Sequence, residues 1–279
     1  MKFTPFSLNI GGSIRSYHRP AVMGIINITT DSFYEPSRHL DVADAAITAE
    51  QMVAAGADML DVGACSTRPG SESVTPEVET DRLCRAVESI RERVGTDIPV
   101  SVDTFRAAVA AEAIYAGADI VNDIAGGTLD PDMFDTVARL RCPYILTHMR
   151  GTPATMQTLT DYTDVVADLA EWLCRRSATL HAMGVADVVV DPGFGFAKTL
   201  EQNYRLLGSL DAIRQIVGLP VLAGISNKSM LSKLPEVSAA SLRAANAAAT
   251  AVALERGASI VRVHSVDDAV AVRAVISQL

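Results

Sequence analysis

Short apolar runs recur along the chain, each ending in a polar residue and followed by a glycine-rich or polar loop and then a stretch of helical periodicity. The pattern starts at Ala21 and repeats eight times, with runs at Val22–Asn27, Met59–Gly63, Pro99–Asp103, Ile120–Asp123, Tyr144–His148, Val188–Asp191, Val221–Ser226 and Ile260–His264. Val188–Asp191 carries the logic most clearly: three β-branched residues make a strand with no polar face, as in a parallel sheet covered on both sides. It ends at Asp191 because Pro192 cannot continue a ladder. Between the runs, helical periodicity predicts helices at 41–56, 77–94, 105–117, 131–140, 161–184, 200–217, 238–257 and 267–278. Three of them close on a shared pattern, Ala55-Gly-Ala-Asp58, Ala116-Gly-Ala-Asp119 and Arg256-Gly-Ala-Ser259, and Gly184 ends the fifth in the same way. Glycine there suits the left-handed residue that follows a helix.

Eight strand–helix units predict an α/β fold, the (β/α)8 TIM barrel. A doubly wound open sheet is the alternative; it would bring fewer units and a Gly-x-Gly-x-x-Gly turn after the first strand, which is absent. Before the repeats, Phe3–Ile14 alternates weakly around Gly11-Gly12 and predicts a β-hairpin against the body of the domain. No change of composition divides the chain. Residues 1–279 are therefore expected to form one domain, 1–20 as an N-terminal hairpin and 21–279 as the barrel.

Composition narrows the function. Of the 279 residues 49% are apolar and 20% charged, enough for a large core, and the net charge of −9 argues against sequence-independent nucleic-acid binding. The four cysteines are far apart with no Cys-x-x-Cys pair, which suits reduced thiols in the cytoplasm. The N-terminus has no signal-type apolar segment, and no run approaches the ~20 residues of a membrane span.

In a barrel the C-terminal strand ends form the active-site mouth. Here they offer Asn27 and Asp31; Asp61 with Ser66-Thr67-Arg68-Pro69-Gly70; Asp103-Thr104; Asn122-Asp123; His148-Met149-Arg150; Asp191; Ser226-Asn227-Lys228-Ser229; and Arg262 with His264. Any one of these could be a helix cap, Asp191 included. All eight strand ends being polar exceeds what capping requires and points to a small-molecule site. Carboxylates with Asn122 suit a flat heterocycle bearing several N–H donors. Arg68, Arg262, Lys228 and His264 suit a phosphate or carboxylate on the substrate, while Phe33, Phe196 and Met149 can pack on ring faces. With no His or Cys cluster, Mg²⁺ entering with a phosphate substrate is the expected metal. The Gly193–Thr199 loop is not a P-loop, because Ala197 precedes Lys198 where that motif needs glycine.

Taken in order, Met23-Gly-Ile-Ile-Asn-Ile-Thr-Thr-Asp-Ser-Phe33, Ser66-Thr-Arg-Pro-Gly70, Ser101-Val-Asp-Thr104, Val121-Asn-Asp-Ile124, Thr147-His-Met149, Asp191-Pro-Gly-Phe-Gly-Phe196, Ser226-Asn-Lys-Ser229 and Arg262-Val-His264 resemble the dihydropteroate synthase family. The resemblance spans nearly the whole chain. It implies a homodimeric transferase of folate biosynthesis that joins 6-hydroxymethyl-7,8-dihydropterin pyrophosphate to p-aminobenzoate, releases pyrophosphate, and is a sulfonamide target. It implies a catalytic set of Asp103, Lys228, Arg262 and His264. Asp103, Asn122, Asp191 and Lys228 would bind the pterin edge, with Met149, Phe196 and Arg262 against its faces. Arg262 and His264 would grip the pyrophosphate and Asn27 would hold Mg²⁺. Thr67, Arg68, Pro69 and Ser226 would shape the p-aminobenzoate pocket, and Phe33 would sit on a loop beside it. The chain departs from the family pattern at Thr30, usually Pro; at Cys65, often Glu or Tyr; at Asn227, usually Arg; and at Ser265, usually Asp. A divergent pterin-binding paralogue and a pterin-dependent methyl-transfer module are the alternatives; retention of Ser66–Gly70 and of Arg262 with His264 favours the synthase. The Ala-rich stretch Ser238–Leu254 is expected to form a helix capable of close approach to the barrel, and the resemblance adds a partner subunit on the last helices.

Overall fold

The computed structural model describes residues 3–28, 42–65 and 74–279. The expectations placed on Thr30, Asp31, Phe33, Ser66, Thr67, Arg68, Pro69 and Gly70 lie outside these.

Eight parallel strands follow one another around the sheet: β3 (Ala21–Asn27), β4 (Met59–Gly63), β5 (Val100–Asp103), β6 (Ile120–Asp123), β7 (Tyr144–Thr147), β8 (Val188–Asp191), β9 (Leu222–Ala223) and β10 (Ile260–Val263). β10 lies between β3 and β9, and a parallel bridge between Val190 and Val221 joins β8 to β9 and closes the ring. This is the expected barrel, with β9 shorter than Val221–Ser226: only two of its residues are in the ladder.

Side-chain alternation divides the barrel in two. Val62, Val102, Val121, Leu146, Val190 and Val261 point outward into the layer shared with the helices. Met23, Met59, Ile120, Ile145, Val189, Leu222 and Ile260 point inward, where Leu8, Ile10 and Tyr17 of the hairpin join them. The hairpin strands β1 (Phe6–Ile10) and β2 (Ser13–Tyr17) therefore plug the lower end of the barrel, and the hairpin runs three residues past the expected Ile14. The aspartates of the repeated Ala-Gly-Ala-Asp pattern fasten that same end. Asp58 accepts from Val22 N–H at 2.9 Å and Asp119 from Val100 N–H at 2.8 Å, so each secures an amide at the start of the neighbouring strand. Gly56, Gly117, Gly184 and Gly257 have φ of 96°, 112°, 90° and 88°, the left-handed turn that the sequence calls for.

The helices are α1 (Val42–Ala54), α2 (Pro76–Val94), α3 (Ala107–Tyr115), α4 (Met133–Leu140), α5 (Val165–Ala182), α6 (Leu200–Gly208), α7 (Leu210–Val217), α8 (Ser229–Ser232), α9 (Leu242–Glu255) and α10 (Val266–Ile276). Two expectations are corrected. The segment 200–217 is two helices broken at Ser209, whose φ of −119° leaves the helical range. The Ala-rich helix begins at Leu242, not 238, because Ser238 and Ser241 bond to each other's backbone and side chains and form a turn.

Candidate active site

The inward residues of the lower layer are apolar, and alternation places the residue two positions on along each strand at the mouth. These residues are Asp61, Asn122, Thr147, Asp191, Gly224 and Arg262, with Asp103 in phase through its pairing with Asn122. Arg262 is their hub. Its Nε donates to Asp61 Oδ2 at 2.5 Å and its Nη2 to Asp103 Oδ2 at 2.6 Å. Asn122 Nδ2 also donates to Asp61 Oδ2, at 3.1 Å. Burial raises the Asp103 pKa and Arg262 works against that rise; Asp61 raises it further. Burial likewise opposes the charge on Arg262, but Asp61, Asp103 and Asp191 together outweigh it and hold the guanidinium above its usual pKa. Asp61 Oδ1 is buried without a hydrogen-bond partner.

Across the mouth, Asp191 Oδ1 accepts from Gly193 N–H at 2.7 Å. Burial raises the Asp191 pKa, opposed by that hydrogen bond and by Lys228, Arg262 and Lys198. The loop after Asp191 turns tightly: Gly193 has φ of 70°, and a Cβ there would stand 2.0 Å from the His148 carbonyl oxygen, so only glycine fits. Lys228 Nζ stands 4.0 Å from the Phe196 ring centroid, a cation–π contact. Phe196 belongs to an apolar patch with Met149, Ile124 and Met156. Polar groups and this apolar patch together offer what a flat ring with hydrogen-bonding edges requires.

On the β9–β10 side, Ser226 Oγ and His264 Nδ1 are 2.9 Å apart, and Ser226 Oγ also accepts from His264 N–H at 3.2 Å. Asn227 has φ of 56°, a left-handed conformation that asparagine tolerates. Its N–H donates to Asn246 Oδ1 at 2.8 Å, and Asn246 Nδ2 returns a bond to Asn227 Oδ1 at 3.0 Å. A cavity of about 210 Å³ beside them is lined by Asn227, Arg243, Asn246 and Asp268; it adjoins the mouth through Ser226 and is not the mouth itself. Asn27 ends β3 with an exposed side chain, and its Oδ1 lies 3.6 Å from the point a Cβ on Gly63 would occupy, close to Asp103.

Thr104, Asp123 and His148, strand-end residues named from the sequence, do not face the mouth; Thr104 donates to Glu79 Oε1 of α2 at 2.6 Å. Asp123 points outward, accepting from Tyr144 Oη at 2.7 Å, Ala125 N–H at 2.8 Å and Gly127 N–H at 2.6 Å, and so shapes the following loop. His148 packs edge-on against Trp172, centroids 4.9 Å apart. Each follows an inward residue and falls on the opposite face. Conversely, Asp61 emerges as an anchor for both Arg262 and Asn122. The signal was its position two residues after the inward Met59. Lys198, 4% exposed, is the other residue that sequence reasoning left without a role.

A (β/α)8 barrel with these polar and apolar groups gathered at its mouth is a small-molecule enzyme of the pterin-binding class: residues 23–264 match the family model "Pterin binding enzyme", and the chain belongs to that family. Among curated relatives, the dihydropteroate synthase of a Synechocystis species is 39% identical over 269 residues, covering 95% of this chain and 92% of that one. The Yersinia pestis dihydropteroate synthase, solved as a sulfonamide drug complex, superposes with a TM-score of 0.90 at 36% identity and 98% coverage of both chains. The Xanthomonas albilineans enzyme in complex with 7,8-dihydropteroate gives 0.84 at 34% identity, again with 98% coverage of both.

Proposed function

We infer that the chain is a transferase of folate biosynthesis that condenses 6-hydroxymethyl-7,8-dihydropterin pyrophosphate with p-aminobenzoate, giving 7,8-dihydropteroate and pyrophosphate, and that sulfonamides compete for its p-aminobenzoate site. The observation that carries this is the Asp61–Arg262–Asp103 and Asn122 array facing Asp191 and the Lys228–Phe196 pair across one mouth.

In this reading Asp103, Asn122, Asp191 and Lys228 bind the pterin edge, while Met149, Phe196 and Arg262 lie against its faces. An arylamine is a weak, neutral nucleophile, so most is gained by easing departure of the leaving group. The methylene C–O bond breaks as the arylamine nitrogen bonds to that carbon, and the nitrogen then gives up a proton. Carboxylates around the pterin stabilise the positive charge that develops there; Arg262 and His264 hold the departing pyrophosphate. Ser226, bonded to His264, is assigned to p-aminobenzoate, and the family resemblance assigns Thr67, Arg68, Pro69 and Phe33 to the same substrate. Mg²⁺ would be held by Asn27 and by phosphate oxygens, where it would neutralise leaving-group charge. One amide oxygen at the rim, with no group of three acidic, His or Cys ligands among the described residues, fits an ion that arrives with its phosphate and keeps its waters.

The reading extends to one barrel domain over 1–279 with its N-terminal plug, working in the cytoplasm as a homodimer. None of the four cysteines is in a disulfide, and among the described residues no helix is long and apolar enough to cross a membrane.

Asp191→Asn tests the pterin site. The amide replaces one of two acceptor oxygens with a donor, and a buried mismatch costs about 1–3 kcal/mol, more where charge is involved. Calorimetry should record pterin affinity reduced by about tenfold or more; affinity within about twofold of the unaltered protein would remove Asp191 from this role.

A further inference from the structure

The loop from Asp191 to Thr199 holds two of the pterin-binding residues, and within it Gly193 N–H donates to Asp191 Oδ1 at 2.7 Å and Phe196 N–H to Gly193 O at 3.1 Å. Gly193, Gly195 and Ala197 have φ of 70°, 82° and 50°, so the chain reverses at every second residue and turns several carbonyl groups toward its own interior. Lys198 occupies that interior. Its Nζ is 2.9 Å from Gly193 O, 2.9 Å from Phe196 O and 3.1 Å from His148 Nδ1, with His148 O at 3.5 Å. Three close acceptors match the three protons of an ammonium group. His148 serves as an acceptor because burial, then Lys198 and Arg150, keep its ring neutral. The ring is held in turn by the edge of Trp172.

A buried cation met by neutral acceptors is a costly way to fill space, and an apolar side chain would fill it more cheaply. What the ammonium supplies is direction. Gly193 accepts from Lys198 through its carbonyl and donates to Asp191 Oδ1 through its N–H, so one residue couples the lysine to the carboxylate. Phe196 accepts through its carbonyl while its ring lies under Lys228. His148, at the end of β7, ties the loop to the neighbouring strand. From outside, Asn203 Oδ1 accepts from Gly195 N–H at 2.7 Å, while Gln157 Nε2 donates to Gly195 O at 3.0 Å and Tyr162 Oη to Ala197 O at 3.1 Å.

We propose that Lys198 is a positioning residue for the pterin half-site: its ammonium staples the Asp191–Thr199 loop to His148 and so fixes Asp191 and Phe196 in binding geometry. This rests on the reading of Asp191 and Phe196 as pterin ligands. Ser226 and His264, which the functional reading places on the β9–β10 side, take no part in the staple.

The test compares Lys198→Met, which removes all the bonds, with Lys198→Gln, which keeps an amide able to reach one or two of the acceptors. With both proteins folded by circular dichroism, KM for the pterin pyrophosphate should rise about tenfold in Lys198→Met and about threefold in Lys198→Gln. KM for p-aminobenzoate at saturating pterin substrate should stay within about twofold. Without any ligand, amide hydrogen exchange at Gly193–Phe196 should speed up in the same order. A folded Lys198→Met with an unchanged pterin KM, an equal rise in both KM values, or failure of both variants to fold would each overturn the proposal. Should the unaltered protein not turn over the pterin pyrophosphate, the functional reading fails. Unchanged loop exchange would then overturn the staple separately.

Discussion

Asp61, Asp123 and His148 show what single positions disclose. Each stands at a strand end in the sequence and each is polar, yet only Asp61 reaches the ligand side. Strand periodicity decides it: Asp61 is in step with the inward Met59, whereas Asp123 and His148 follow inward residues and face the helices. Counting in twos from the apolar lower layer would have separated them. Lys198 was not legible in that way, since its acceptors are carbonyls of a loop whose path no periodicity describes. Its burial also has a measurable consequence. Burial lowers the Lys198 pKa to about 7 from 10.5, with Lys228 and Arg150 pushing the same way and Asp191 opposing. Above about pH 7 the folded chain gives up that proton, so the staple falls from three N–H donors to two. The unfolded chain keeps its proton up to about 10.5; raising the pH therefore favours folding even as the loop loses one of its bonds. Denaturation midpoints should therefore climb from pH 7 to 9 more steeply in the unaltered protein than in Lys198→Met, by up to about 1.4 kcal/mol per pH unit. Identical slopes would mean that the lysine keeps its proton throughout.

At the level of elements, the strands and most helices were written in the sequence because hydrophobic periodicity and the Gly-Ala-Asp endings agree with each other. The exceptions have local causes. Residues 200–217 keep a helical apolar pattern across Ser209, so periodicity alone cannot see the break. The short α8 was hidden because four residues carry no period. The β9–α8 connection carries Asn227, one of the four positions at which the resemblance leads one to expect another residue, and there it makes a reciprocal amide clasp with Asn246 of α9 around a left-handed backbone. Asn227→Arg breaks the clasp while adding a cation to the rim. Folding stability should fall by about 1 kcal/mol. A partly exposed, screened contact is worth about 0.5–1 kcal/mol, so KM for p-aminobenzoate should fall a few-fold. Steady-state kinetics with the pterin KM held constant would bear this out; a change in pterin KM instead would move Asn227 to the other half-site.

At the scale of the whole molecule, the barrel separates stability from chemistry. Its lower end is closed by the hairpin and fastened by Asp58 and Asp119, its upper end gathers the charged groups, and an apolar layer from Met23 to Ile260 lies between. The closed ring follows from the count of eight strand–helix units. The plug did not, because a weakly alternating hairpin gives no sign of which surface it will cover. The proposed homodimer is checked by light scattering at micromolar concentration, where a mass twice that of the 279-residue chain is expected and the single-chain mass would exclude it. The central claim is the reaction, and release of pyrophosphate tests it most directly. With 6-hydroxymethyl-7,8-dihydropterin pyrophosphate and Mg²⁺ present, the protein should release pyrophosphate only when p-aminobenzoate is added, in step with dihydropteroate formed and suppressed by a sulfonamide. Release that is absent, or that proceeds equally without p-aminobenzoate, would contradict it.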